Sequence, residues 1–377
     1  MKIKHFTCYE VIVPTHEGVI ESKGINKPLH KLPRGAKAGW SLQFDQLPKL
    51  ILKMELSNGV VGWGELYRDH NWSIVEDIIQ LLLGQDIRKL SLQKLPFTFC
   101  REYDGFECAI WDAYAKAHHL RVVDLLGGPV RDKVRVGAWS SHRHLEEIGD
   151  LAKGFMEQGF DCLKFKTDLE DDVVGWCQAI EESAPGMEVI LDPNERWLYP
   201  GEVRKRAEAL AEVGNVLCLE DPLPRWMLSE YARLRQFSAV PVALHVSLPY
   251  ILHGQRIKDA IQALQTEAVD GFNFNCGLAN FQRLDHIASA AGLPCWHGSE
   301  VDLGILEAMY AHSAAAAESC IWPSDIFGRL IRSHDLLKTS LKIEPPYVHL
   351  PKGAGLGVEV DEEAIAHFLV SKKEFTF

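Results

Sequence analysis

The 377-residue sequence lacks a long apolar run, a paired-cysteine spacing and a block of basic residues, and each absence removes a class of function. No apolar stretch reaches the ~18 residues that a membrane-spanning helix needs. The opening "MKIKHFTCYEVIVPTHEG" alternates like a strand and has neither the apolar core nor the small-residue cleavage site of a secretory signal. A cytoplasmic protein with no membrane partner is therefore expected. The cysteines number nine, lie scattered from Cys8 to Cys320 and never fall in a C-x-x-C spacing, which argues against a disulfide framework and against a zinc ribbon. With Lys and Arg dispersed and a formal net charge of -12, no nucleic-acid partner is expected, whereas a cation site is compatible with the acidic balance. The match of Asn71-Trp72-Ser73 to a glycosylation sequon carries no weight without secretion. A dinucleotide loop is missing too: no G-x-G-x-x-G follows a strand and opens a helix, and "GAGLG" (353–357) sits between strand-like runs.

What the chain does have is a large apolar share, 47% hydrophobic against 24% charged, enough for a sizeable core and two domains. Asn58-Gly59, flanked by apolar runs in "LILKMELSNGVVGWGEL", predicts a tight hairpin. Residues 14–40 are rich in Gly, Pro and Lys and read as one long loop. "SIVEDIIQLLLGQ" and "FECAIWDAYAKAHHL" have helical periodicity, which stops at Gly127-Gly128-Pro129. Beyond that point short apolar strands alternate with amphipathic helices. The strand candidates are "VRVGAWS", "CLKFKT", "EVILDPN", "VLCLEDP", "VPVALHV", "GFNFNC", "LPCWHGS" and a weak "SCIWPSD". Eight such units in about two hundred residues match a TIM-type (β/α)8 barrel, in which chemistry sits at the C-terminal strand ends.

Those ends carry polar residues in sequence. Lys164 and Lys166 stand two apart, so a strand aims both ammonium groups at one face. Asp192 with Asn194, Glu220 with Asp221, His245, Asn275 and His297 follow at steps of 22 to 30 residues, one βα unit each. A single strand-end carboxylate is usually a cap or an ion-pair partner, and a lone histidine is usually a core residue. Successive strand ends carrying metal-ligand or acid–base groups favour a functional reading of the set.

Together these stretches resemble the enolase superfamily, in its mandelate racemase and muconate lactonizing branch. "CLKFKTD" is similar to its K-x-K strand, "ILDPNERW" to its D-x-N segment and "LEDP" to its E-[DE]-P. "NGVVGWGEL", "AIWDAYAKAHHLRVVDLLGG" and "GAGLGVEVDEEAI" resemble its capping hairpin, its helix into the barrel and its C-terminal return. The resemblance implies a (β/α)7β-type TIM barrel over residues 126–345. Above it would lie an α+β capping domain from residues 1–125, with 14–40 as a lid, joined by the returning segment 346–377. It implies Mg2+, or Mn2+ or another divalent metal, on Asp192, Glu220 and His245. It also implies abstraction of the proton α to a carboxylate, with Lys166 as base and Lys164 lowering the pKa of Lys166 and contacting the substrate carboxylate. His297 would be the seventh-strand acid. Asn194, Asp221, Asn275, Glu300, His16, Trp40, Arg68 and Trp139 would bind substrate or support those that do, although Glu300 reads more readily as a cap on the next helix. A small carboxylate is the expected ligand, and a dimer or octamer the expected assembly.

Two departures matter. His245 stands where the family usually has Glu or Asp, which shifts metal preference away from Mg2+. Asn275 stands where racemases carry Asp and muconate-type members Lys, so the two-base dyad is incomplete. At the eighth strand only Asp325 offers an acid. The expected function is a dehydratase of an acid sugar, with a racemase or epimerase as the alternative and a non-catalytic, metal-poor carboxylate binder as another.

Overall fold

The computed structural model describes residues 1–25, 44–248 and 256–377. The first element is an antiparallel sheet of β1 (Ile3–Val11), β2 (Lys49–Leu56) and β3 (Val61–Leu66), and the chain's last strand, β14 (Leu369–Thr376), adds to its edge. The Asn58-Gly59 hairpin joins β2 to β3, with Gly59 at φ +85° as such a turn requires. The helix Tyr103–Ala117 lies directly on β3. A Cβ on Gly62 or Gly64 would come within 2.1 Å of a helix carbonyl, so "GVVGWGEL" has glycines there because backbone packs on backbone.

The second element is a curved parallel sheet in sequence order, the signature of repeated right-handed βα units. Its strands are β5 (Ala138–Ser140), β6 (Cys162–Lys166), β7 (Glu188–Asp192), β8 (Val216–Glu220), β9 (Val242–Ser247), β10 (Gly271–Asn275) and β11 (Cys295–His297). The segment "SCIWPSD" does not form a ladder strand. It nevertheless closes the barrel, since Cys320 bridges to Cys295 and Ser324 to Val136, with the Ser324 amide donating to the Arg135 carbonyl at 2.8 Å. The expected strand "VRVGAWS" is divided: β4 (Lys133–Arg135) pairs with β13 (Tyr347–His349), which in turn pairs with β12 (Ile343–Glu344), and only β5 enters the barrel. The fold is the TIM barrel with an α+β cap that the sequence predicts. Among the described residues no helix is long and apolar enough to cross a membrane.

The two parts are held together by buried charge as well as by apolar packing. Glu65 of β3 accepts the amides of Leu303 (2.8 Å) and Leu306 (3.1 Å) at the start of the helix Gly304–Ala316, and Lys49 of β2 pairs with it at 2.8 Å. Glu300 therefore does not cap that helix. A carboxylate from the opposite domain does, and it joins cap to barrel.

Candidate active site

Register decides which side chains share the barrel interior. Trp139, Lys164 and Ile190 are aligned across β5, β6 and β7, and Asn273 is aligned with both His245 and Trp296. Below the mouth, Cys162, Ile190, Cys218, Ala243 and Trp296 fill the barrel axis as one apolar cluster. The Lys164 ammonium lies over the Trp296 ring, 5.5 Å from its centroid. The floor of the site is thus dry and the charges sit on top of it.

Lys164 is the hub. Its Nζ lies 2.7 Å from Glu220 Oε2, 2.8 Å from Asp325 Oδ2 and 3.6 Å from Asp192 Oδ2. Burial disfavours the ammonium, but Asp325, Glu220 and Asp192 together outweigh it and hold its pKa well above the ordinary lysine value. Lys166 donates to Asp192. Asp192 also accepts the Asn194 amide at 3.0 Å, and Asn194 adopts φ +46° to bring that amide back. Burial pushes Asp192 up, and Lys166 and Lys164 bring it below the usual carboxylate range. Glu220 is pushed up to about 8, first by burial and then by Asp192, against the pull of Lys164.

Glu220 Oε1 accepts Asn273 Nδ2 at 2.7 Å and lies 3.3 Å from His245 Nδ1. Asp221 accepts the His245 amide at 2.9 Å and is gripped by Arg225, whose Nε donates at 2.7 Å; burial still raises it to about 7. Among the described residues, Glu220, Asp221 and His245 bring potential ligand atoms within 4.8 Å of one another. Asp192, expected as the first ligand, is not in that group, and the Lys164 ammonium stands between it and Glu220. A donor set of carboxylate oxygens and one imidazole fits a divalent cation, and fits Mn2+ or Zn2+ at least as well as Mg2+.

The remaining expected residues divide. Trp139 closes one side of the mouth, stacked on Phe327 at 5.6 Å within a cluster that includes Ile20 and Phe44. Residues 14–25 of the expected lid dock beside it: the Ile20 carbonyl accepts the Ser141 amide at 2.7 Å, and the Ser22 amide donates to the His142 carbonyl at 3.1 Å. His16 is exposed, its amide bonded to the Ile331 carbonyl at 2.8 Å. Trp40 lies outside the described residues. Arg68 lies over the Phe44 ring and donates to the Glu300 carbonyl, while the Glu300 carboxylate takes two bonds from Arg101, at 3.0 and 2.7 Å.

His297 is not brought to this cluster. It is in register with Phe274 and therefore shares that residue's helix-facing side, while Trp296 takes the interior. Its ring is sandwiched between Phe281 (4.4 Å) and Tyr310 (4.1 Å), and Nδ1 bonds to the Gly298 carbonyl at 2.8 Å. Burial in that sandwich lowers its pKa to about 4. Asn275 does not orient it either, because the Asn275 Oδ1 is 3.2 Å from the Tyr67 hydroxyl. Sequence reasoning left out Asn273, Arg225 and the firm use of Asp325. Each had a signal: Asn273 lies two before Asn275, Arg225 four after Asp221, and Asp325 one βα unit after His297.

Comparisons with known proteins agree with this architecture. Residues 43–127 match the mandelate racemase / muconate lactonizing enzyme N-terminal domain, and residues 147–364 the enolase C-terminal domain-like family. Muconate cycloisomerase 1 of Rhodococcus opacus is 27% identical, over 92% of this chain and 96% of its own length. A probable glucarate dehydratase of Streptomyces coelicolor is also 27% identical, over 85% of this chain and 84% of its own. The solved N-succinyl Arg/Lys racemase of Bacillus cereus superposes with a TM-score of 0.81 at 20% identity, covering 100% of both chains. The chain belongs to the mandelate racemase and muconate lactonizing enzyme branch of the enolase superfamily.

Proposed function

We propose that the protein is a one-base β-eliminating enzyme: it takes the α-proton from a hydroxylated small carboxylate and expels a β-hydroxyl as water, as an acid-sugar dehydratase does. The observation that carries this reading is the asymmetry of the barrel mouth. Among the described residues, the two lysines of the mouth, Lys164 and Lys166, both come from β6, whereas across the mouth the sixth strand ends in the uncharged Asn275 and the seventh-strand His297 is locked among rings. A racemase needs a proton acceptor and a donor on opposite faces of the α-carbon. Among the described residues, the lysines lie on one.

Lys166 acts as the base once its amine is neutral and free of Asp192. It removes the α-proton, and the electron pair moves into the substrate carboxylate. That pair then forms the α,β double bond as the β-hydroxide leaves. The same nitrogen, now an ammonium, protonates the departing hydroxide on its own face. Lys164, held positive by Asp325 and Glu220, contacts the substrate carboxylate and opposes the charge that builds there. A divalent cation on Asp192, Glu220 and His245 would supply, when bound, a Lewis acid for that carboxylate. The aromatic and aliphatic cluster of Trp139, Phe327 and Ile20 keeps water from one side of the mouth.

The test is a screen of acid sugars and α-hydroxy acids in the presence of Mg2+ or Mn2+, read as formation of a 2-keto acid. Turnover that Lys166→Met abolishes supports the reading. Product in which a stereocentre is inverted without loss of water would contradict it.

A further inference from the structure

Three buried oxygens at the junction of cap and barrel pose a problem of proton number. The Tyr67 hydroxyl, at the end of the cap hairpin, lies 3.1 Å from Asp104 Oδ2 and 3.2 Å from Asn275 Oδ1. A tyrosine hydroxyl carries one proton. Two hydrogen bonds among these three oxygens need two protons, so the second must come from a neighbour. Two arrangements provide it while the Tyr67 proton stays among these three oxygens and is not given to the neighbouring Tyr310 oxygen. In one, Asp104 is protonated and donates to Tyr67, which donates to the Asn275 carbonyl. In the other, Asp104 is ionised and accepts from Tyr67, and the Asn275 amide is turned so that its N–H2 donates to Tyr67. The end of the amide directed away from Tyr67 is a donor in the first case and an acceptor in the second.

We propose that Asn275 is a specificity-determining residue that presents its N–H2 to the barrel mouth as a donor for a substrate oxygen, and that Tyr67 and a protonated Asp104 are the positioning residues that hold it so. Strand alternation places Asn275 on the same face as Asn273, whose side chain reaches Glu220 in the barrel interior. Asn275 is fully buried, and its Nδ2 has no hydrogen-bond partner among the described residues. An amide donor left unpaired in such a place is costly unless a ligand satisfies it. The substrate oxygen that fits is a carboxylate or hydroxyl lone pair.

The surroundings favour the neutral Asp104. It is fully buried, and it faces Glu107 one turn along its own helix, Glu300 after β11, Cys276, the Gly277 amide at the start of the helix Leu278–Ala290, and the cation Arg101, while Arg283 acts on the adjoining Glu107. Tyr310 lies beside Tyr67, but its own proton goes to Asp302 at 2.7 Å. Burial raises Asp104 to about 7, and burial with the Asp104 charge raises Glu107 to about 8. The donor orientation therefore belongs to neutral and acidic solution.

This inference deepens the proposed function, because it takes the barrel mouth as the substrate site. Its test needs no substrate, so its failure leaves the one-base reading standing. Infrared difference spectra of the whole wild-type protein against Asp104→Asn, the neutral isostere, isolate the Asp104 carboxyl from Glu107. A protonated-carboxyl band is expected at pH 6, lost with a midpoint near pH 7. Its absence at pH 6 overturns the proposal. If the variant does not fold, neutron diffraction from deuterium-exchanged wild-type crystals at pH 6 decides. Deuterium on Asp104 with the Asn275 N–D2 turned away from Tyr67 supports the proposal, and N–D2 pointing at Tyr67 contradicts it.

Discussion

Lys164 and Asp325 meet at 2.8 Å, although 161 residues separate them in the chain. The contact joins β6 to the segment that closes the barrel, so the hub of the site also fastens its seam. Removing Asp325 leaves Lys164 with Glu220 at 2.7 Å, so the ammonium keeps a partner. Asp325→Ala should therefore lower unfolding free energy by about 1–3 kcal/mol, the cost of a lost charged hydrogen bond in a buried site, without abolishing folding. Urea unfolding measures it. An unchanged midpoint would show that the pair contributes nothing to closure.

The metal prediction turns on His245. With an imidazole among the ligands, Mn2+ or Zn2+ should bind more tightly than Mg2+, and His245→Glu should raise Mg2+ affinity. Calorimetric titration of metal-free protein reads both effects. Tighter Mg2+ than Mn2+ binding in the wild type would remove His245 from the ligand set.

His297 should behave as a core residue with a proton-linked effect on stability. Its folded pKa, about 4, lies below the ordinary histidine value, so the unfolded chain binds the extra proton first. Its contribution is fully present above about pH 6.5 and is lost as pH falls toward 4, by about 3 kcal/mol in all. His312, also lowered to about 4 by burial, adds a loss of the same sign. His297→Phe should flatten part of this acid slope, measured by urea unfolding at pH 7 and pH 5, while substrate turnover persists. An unaltered slope, or lost turnover in a stably folded variant, would return His297 to the chemistry.

The barrel was legible because β-strand and helix periodicities alternate clearly after Gly127, and because Lys164, Asp192, Glu220 and His245 recur at barrel spacing. The closing segment was faint for a physical reason. Pro323 interrupts "SCIWPSD", and closure uses isolated bridges at Cys320 and Ser324 in place of a ladder. His297 was misread because "CWH" is too short to fix its own register: a one-residue shift exchanges the two faces of a strand. Polarity suggests histidine inward and tryptophan outward. The barrel axis instead takes Trp296, which fills the space under Lys164, and the rings of Phe281 and Tyr310 accept the imidazole. Glu65 could not be seen as a cap on residues 303–306, because that contact spans 238 residues and two domains.

Lys166 carries the central claim, and its replacement should separate chemistry from binding. General acid–base catalysis contributes roughly 10²–10⁴-fold, so Lys166→Met should lose at least that much in kcat, whereas Lys164→Met should change KM and kcat together. A loss of only a few-fold in Lys166→Met would assign the proton transfer elsewhere.

The most direct measurement is deuterium incorporation at the α-carbon, with the two α-epimers of a substrate found by the screen incubated separately in D2O. One base on one face predicts exchange from a single epimer, abolished in Lys166→Met and retained in His297→Phe. Comparable exchange from both epimers would contradict the account and indicate a second base across the barrel mouth.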